Sequence, residues 1–552
     1  MYYLFFSATV NGRENDYLYE SYAAKAEYER IVKEVKNYSS DTLTAKVKEY
    51  GNTFSADTPT SEYTAEEWAV AKKALDDYAV AVEANPEETV NLARDCVLNV
   101  ETVKIHKTAP VDHVYSIGIA VSDSPVGPFH LYTNVEGEEF MPGAEYNADA
   151  RTIDGKTPFL AHEDFYTALA QLKVTDSEKA EALASVLPAR MTMIDANPFV
   201  DPKTNDKYLY FSSCQPSQEY IFGIKLGKKW TDDPQWETLT PVSRYGYVTV
   251  DGQEQIDYPQ SVNKIEEGPH MYYDAETQKY YLTFSVNGAY DKEYAVGQAI
   301  GDSPLGTFTK VPMANGGLVI AADLLWDHVS GPGHHCFIQY DGKMYILYQG
   351  LYERFAPVTQ TRGICVDEVK SFINDNGVKV FNANGPSYAL MPKIGPDAQY
   401  KNIAGDALIT VSGGEKKEAL NDGLLNIMTH HDLVPEFSAA AGTTTITIDF
   451  TDYRAIRAIM VYNARDLENW FDKIDRIELD FTLTKDGKEV KDTAYMSNLV
   501  FNKDLYTFDL WDTSRPGGSV CAEFDEIQVK TIRITIKSDK AFSISEIFVL
   551  GK

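Results

Sequence analysis

The chain has 552 residues, too many for one compact core, so two or more domains are expected. Apolar residues make up 44 % and aromatics 12 %, with 36 Tyr, which points to a folded, strand-rich protein and away from a disordered one. Lys and Arg number 51 against 82 Asp and Glu, and the resulting charge of −31 repels phosphate backbones, arguing against nucleic acid as a partner.

The first residues, Tyr2-Tyr3-Leu4-Phe5-Phe6-Ser7, read as a strand; Met1 to Val10 lacks the basic n-region and cleavage site of a signal peptide. No apolar run reaches membrane-spanning length. The same kind of strand returns as Lys207 to Ser212, Lys279 to Ser285 and Lys343 to Tyr348, each after a turn rich in Asp, Asn, Gly or Lys. A second unit is echoed too: Ile117 to Phe129 (IGIAVSDSPVGPF) matches Val296 to Phe308 (VGQAIGDSPLGTF). The later copies of the first unit, starting at Lys207, Lys279 and Lys343, recur at a nearly constant interval. That period suits four-stranded propeller blades, with chance similarity within an ordinary β-sandwich as the alternative.

Two segments break the pattern. Residues 20–95 change to a helical period, with Ala23, Tyr28, Ile31, Val32 and Val35 on one face, and Thr64-Ala65-Glu66-Glu67 forms a capping box. A mostly helical insertion over 20–110, inside the first blade, is expected. Residues 161–188 predict a smaller helical loop rich in Ala and Glu. The repeats stop after Pro396. Strands are expected over Thr444 to Phe450, Ile456 to Tyr462, Arg476 to Thr484, Thr531 to Ile536 and Ile544 to Leu550, giving a separate β-sandwich over 398–552. The five cysteines (Cys96, Cys214, Cys336, Cys365, Cys521) lie far apart without a CxxC pair, against both a zinc site and a disulfide framework.

The blade register carries the chemistry. Asp195 of Met193-Ile194-Asp195-Ala196-Asn197-Pro198-Phe199 precedes Tyr208 by the same interval at which Glu267 of Glu266-Glu267-Gly268-Pro269-His270 precedes Tyr280. His334 of Ser330-Gly331-Pro332-Gly333-His334-His335 precedes Met344 by a shorter interval, the deficit matching the shorter Asp341-Gly342 turn. Equivalent positions on innermost strands converge on a propeller axis, so these three are expected to face one funnel. Two carboxylates around one pocket suit glycosidic cleavage, one donating a proton to the leaving oxygen. The neighbouring carboxylate raises the acid's pKa by like-charge repulsion. Each has a plainer alternative: an Asx turn for Asp195, a solvated turn carboxylate for Glu267, a hydrogen-bonded core histidine for His334.

As an ordered set, IDANPF, EGPHMYY, IGIAVSDSPVGPF and SGPGHHCF, with Arg362-Gly363-Ile364-Cys365-Val366-Asp367-Glu368, resembles glycoside hydrolase family 43 over residues 1–395, the helical insertion apart. The resemblance implies a mainly β fold, a five-bladed β-propeller, and inverting cleavage of arabinofuranosides or xylosides of plant-type polysaccharide. It implies Glu267 as general acid and Asp195 as the carboxylate that tunes it and orients the sugar. It further implies His334 as a channel histidine helping to hold Ca²⁺ or water, Arg362 and His335 as substrate contacts, and no organic cofactor. The partner is an oligo- or polysaccharide, and a secreted or cell-envelope location is expected for the full-length parent.

The family's general base, an Asp of the first blade, has no counterpart here, because the equivalent position, counted back from Tyr2, falls before Met1. Asp16 and Asp112 come after the hairpin strand and do not substitute. An incomplete first blade and weak or absent activity are therefore expected, from a truncated chain or a propeller without its base. A non-catalytic carbohydrate-binding propeller is the alternative function; a sialidase fits poorly, without SxDxGxTW repeats or an arginine triad. The C-terminal segment resembles a discoidin-type jelly roll, with Trp470 and Phe471 as candidate sugar-stacking residues and Trp470 equally readable as core.

Overall fold

The computed structural model describes residues 1–9, 17–19, 22–105, 107–110, 115–132, 146–147, 152–153, 160–175, 192–215, 218–244, 247–250, 253–256, 265–322, 329–351, 362–387, 389–425, 429–430, 434–465, 468–500 and 518–552. Asp16, Asp112 and the expected helical loop beyond residue 175 lie outside these. The chain divides into two compact units, Met1–Gln218 with Phe222–Pro241, and Glu219–Ile221 with Val242–Lys552. The protein is mainly β, as the composition predicts.

In the first unit, Tyr2–Thr9 pairs antiparallel with Tyr115–Ser122, which pairs with His130–Leu131. Tyr2 faces Ser122 and Ser7 faces Ile117. In the second unit, Tyr280 faces Gly301 and Ser285 faces Val296. The two sequence echoes are thus one ladder with one register, used twice, and in the first copy the helices are threaded between the two strands. Those helices run Tyr22–Lys36, Ser40–Thr53, Ala65–Ala84 and Thr89–Glu101. Thr64 accepts from the Glu67 N–H while the Glu67 carboxylate accepts from the Thr64 N–H, so both free donors of that helix start are satisfied as the capping box predicts. Ile31, Val35, Leu43, Ala93 and Val97 form one core cluster of the insertion, and Phe54, Trp68, Ala71, Cys96 and Val100 form another. Another sheet runs in sequence order through Ile194–Val200, Lys207–Gln215, Gln218–Lys225 and Gln235–Arg244.

The second unit holds two further sheets that also run strand by strand. One comprises Glu266–Asp274, Lys279–Val286, Ala295–Gly301 and Thr309–Lys310, with Leu318–Ile320 also on the third strand. The other comprises Ser330–Tyr340, Lys343–Leu351, Arg362–Ile373 and Lys379–Ala383. Lys279–Val286 is buried at every position after its first, and a strand covered on both faces reads as the continuous apolar and aromatic run seen in its sequence. Four meander sheets lie among the described residues, where the sequence predicts five blades.

The last part of the chain forms an eight-stranded sheet, ordered Lys401–Asn402, Phe542–Gly551, Gly442–Asn463, Ser519–Ser538, Lys473–Lys485, Lys488–Val500, with Leu408–Val411 and Phe437–Ala439 on its sides. Both halves of its longest strand contribute to a single apolar cluster, Ile446 and Ile448 together with Ile459 and Val461, so the sheet curls around its own core. The two strands expected over 444–462 are one strand, kinked where its register breaks between Asp449 and Arg454. Lys488–Val500 escapes the sequence reading because it opens on Lys-Glu-Val-Lys-Asp. It is an edge strand whose charges stay in water, and Asp486 and Gly487, both at positive φ, supply the tight turn that returns it. Phe471 is fully buried against Phe542, which removes it as a sugar-stacking candidate; Trp470 is half-buried with the Lys540 ammonium over its ring.

Candidate active site

Three strands carry the same irregularity. Ile194 pairs with Ser212 and Asn197 with Tyr210, leaving Asp195 and Ala196 opposite one residue. Glu267 pairs with Ser285 and His270 with Thr283, leaving Gly268 and Pro269 as the bulge. Gly333 pairs with Gln349 and Cys336 with Leu347, leaving His334 and His335. The first bulge residue is left-handed each time, with φ +57° at Asp195, +57° at Gly268 and +47° at His334. Sequence spacing alone sets Asp195, Glu267 and His334 level. Asp195, Gly268 and His334 are each the first residue of an equivalent bulge, and Glu267 immediately precedes its bulge. A bulge re-aims the side chains beside it, which is why this position suits functional groups.

Around Glu267 the second unit is built from polar residues of its buried central strand. Glu267 is half-buried, and its Oε1 accepts a hydrogen bond from the Tyr294 hydroxyl at 2.6 Å. Ser285, opposite Glu267, accepts the His334 N–H at 2.7 Å, which holds His334 in its left-handed conformation. Thr283 donates to the His270 carbonyl at 3.1 Å and lies 2.7 Å from His335 Nε2. A Cβ on Gly268 would sit 3.3 Å from Ser285 Oγ and 3.5 Å from His334 Nδ1, so the bulge after Glu267 and His334 are in close contact. Sequence reasoning singles out neither Thr283 nor Tyr294. Thr283 is a polar residue flanked by Leu282 and Phe284 inside a strand, and that misplaced polarity is the available signal; Tyr294 offers none.

The two adjacent histidines have opposite settings. His334 is exposed, whereas His335 is 7 % exposed and turned inward to Thr283. His335 thereby ties its strand to the Thr283 strand. Burial, and next the neighbouring His270 and His334, push the His335 pKa well below its usual value, and burial lowers that of His270 to about 4. Both imidazoles are neutral at neutral pH. Arg362 is exposed; its Nη1 donates to Gln349 Oε1 at 2.6 Å and its guanidinium lies over the Tyr290 ring, 4.9 Å from the centroid. Gln349 pairs with Gly333, so Arg362 belongs to the same end of these strands as Glu267 and His334. In the first unit Asp195 is half-buried and accepts from Ser212 Oγ at 3.2 Å.

Calcium favours a shell of oxygen ligands. Among the described residues no three His, Cys, Asp or Glu side chains gather to hold a metal. Cys96, Cys336, Cys365 and Cys521 form no disulfide among the described residues, and no described helix is long and apolar enough to cross a membrane.

Residues 177–372 match the family model described as Glycosyl hydrolases family 43, the family that the sequence motifs resemble. That stretch contains Asp195, Glu267, His334, His335 and Arg362. A thermostable family-43 glycoside hydrolase is 19 % identical over 53 % of this chain and 74 % of its own, with a TM-score of 0.33. An endo-1,4-beta-xylanase from Bacteroides thetaiotaomicron is 19 % identical over 50 % and 69 %, with a TM-score of 0.30. A family 43 arabinoxylan arabinofuranohydrolase from Bacillus subtilis is 14 % identical over 79 % and 74 %, with a TM-score of 0.31. TM-scores this low do not establish a common fold. No curated protein matches the chain.

Proposed function

We propose that this protein is an inverting glycoside hydrolase acting on arabinofuranosides or xylosides of plant-type polysaccharide, on a five-bladed propeller extended by a C-terminal β-sandwich. The observation that carries the reading is Glu267. It lies within the stretch that fits the hydrolase family, stands beside a left-handed glycine on a bulged strand, and is hydrogen-bonded by a buried tyrosine. In the proposed reaction the protonated Glu267 gives its proton to the glycosidic oxygen as the bond to the anomeric carbon breaks. Inversion further requires water to add from the opposite face of the sugar and lose its proton to a general-base carboxylate, a role to which no residue of this chain is assigned. Exposed Arg362, held over Tyr290, contacts the sugar.

The test is hydrolysis of arabino- and xylo-oligosaccharides, whose leaving sugar hydroxyl needs the proton, by the wild type and by Glu267→Gln. General acid catalysis contributes roughly 10²–10⁴-fold, and a loss of that size is expected. Equal rates for the two proteins would refute the assignment. Binding of xylo-oligosaccharide with no turnover by either would instead identify a carbohydrate-binding propeller.

A further inference from the structure

Tyr294 is 0 % exposed, yet its hydroxyl is placed on the Glu267 carboxylate. Its position is built from three sides. Asn287, buried and left-handed at φ +70°, donates from Nδ2 to the Glu293 carbonyl at 2.7 Å and so closes the loop that presents Tyr294. The Lys292 carbonyl accepts the Gly331 N–H at 2.9 Å, fastening that loop to the next sheet. Gly333 leaves room for the ring: a Cβ there would stand 2.1 Å from the Tyr294 edge. A tyrosine kept from solvent, with a side-chain-free residue against it, is held for its hydroxyl.

We propose that Tyr294 is a positioning residue for the proton donor, an inference that rests on Glu267 being that donor. With Oε1 accepting the phenol hydrogen, the transferable proton sits on Oε2, which fixes the oxygen that faces the leaving group. When that proton moves to the glycosidic oxygen, Glu267 becomes a carboxylate and the Tyr294 hydrogen bond becomes charge-assisted, hence stronger. Tyr294 therefore favours the ionised acid and assists the transfer. Among the described residues of this unit, the titratable groups around Glu267 include Tyr294 itself, His334 across Gly268, His335 and His270 on Thr283, and Asp291 and Lys292 of the loop. Glu266 points to the opposite face of the strand and pairs there with Lys310.

Carbon-13 NMR titration of glutamate carboxyls in the full chain tests this without requiring turnover, the Glu267 signal being the one that Glu267→Gln removes. In Tyr294→Phe the midpoint is expected to rise by about one pH unit or more, the loss of a hydrogen bond to a charged group. Gly333→Ala, which crowds the ring off its place, is expected to move the midpoint the same way. In turnover, Tyr294→Phe should lose more rate on an alkyl glycoside, which needs the proton, than on a nitrophenyl glycoside. An unchanged midpoint in folded Tyr294→Phe overturns the inference. A raised midpoint together with full activity of Glu267→Gln also overturns it, by showing that the oriented carboxylate is not the donor.

Discussion

Gly268 shows how one backbone angle sets the candidate site. At φ +57° any residue with a Cβ is strained, and a methyl there would also press on Ser285 Oγ and His334. Gly268→Ala is expected to cost about 1–2 kcal/mol of stability and to turn Glu267 away from Tyr294. Urea unfolding measures the first effect and activity the second; a fully active variant would show that the bulge does not aim the acid. The neighbouring residue, Glu266, is fully buried and tied to Lys310, whose ammonium also lies over Phe284. Removing one partner of a buried ion pair leaves an uncompensated charge, so Lys310→Met should cost about 3–5 kcal/mol. The double variant Lys310→Met with Glu266→Leu should recover much of that, and if the double variant is no more stable than the single one, the ion pair is not the source of the loss.

At the scale of strands, the second unit contains buried groups that respond to pH in opposite directions. Asp367, on Arg362–Ile373, is 2 % exposed and accepts from Tyr348 and the Ser387 N–H, but burial dominates and raises its pKa to about 6. A carboxyl whose pKa is higher folded than unfolded stabilises fully below its unfolded value of 3.8, and that contribution is lost as pH rises through about 6. The difference corresponds to about 3 kcal/mol. For His270, lowered to about 4, the sign is reversed: its contribution is present above 6.5 and is lost as pH falls through about 4. His335 acts in the same sense. The two effects partly cancel, so Asp367→Asn is expected to lose more stability than the wild type on going from neutral pH to about pH 4.5. Urea midpoints at the two pH values decide it, and parallel losses in both proteins would count against the burial of a proton on Asp367.

The same scale shows what the sequence can and cannot reveal. Tyr2–Thr9 and Lys279–Val286 are legible as copies because a central strand's apolar run and its register survive a long insertion between partners. Glu267 is legible because Gly-Pro after a carboxylate, directly before an aromatic hairpin, has no local folding purpose. That Asp195 begins its bulge while Glu267 precedes its own is not legible, since a bulge and a changed turn length leave no mark in composition. The opposite settings of His334 and His335 depend on the left-handed bulge, which breaks strand alternation. Tyr294 is out of reach because its contact with Glu267 joins positions far apart in the chain and is made by a loop. The strand Lys488–Val500, in contrast, is readable: Asp486-Gly487 is a strong hairpin signal, outweighed by the charges that follow it.

On the scale of the whole chain, the helical insertion bears on the order in which the protein assembles. Thr9 pairs with Tyr115, so the first sheet joins residues about a hundred positions apart. Left as a flexible segment, that span would be a slow and entropically costly closure. The insertion instead has its own core clusters, and the ladder between Tyr17–Tyr19 and Lys107–Pro110 brings its two ends together. Once the helices have collapsed, the remaining gap is only a short stretch on each side, which lowers the closure cost by about 2 kcal/mol. During synthesis Tyr2–Thr9 would wait unpaired while the helices form, and their folding would then deliver the partner strand to it, making the insertion a kinetic clasp for the first sheet.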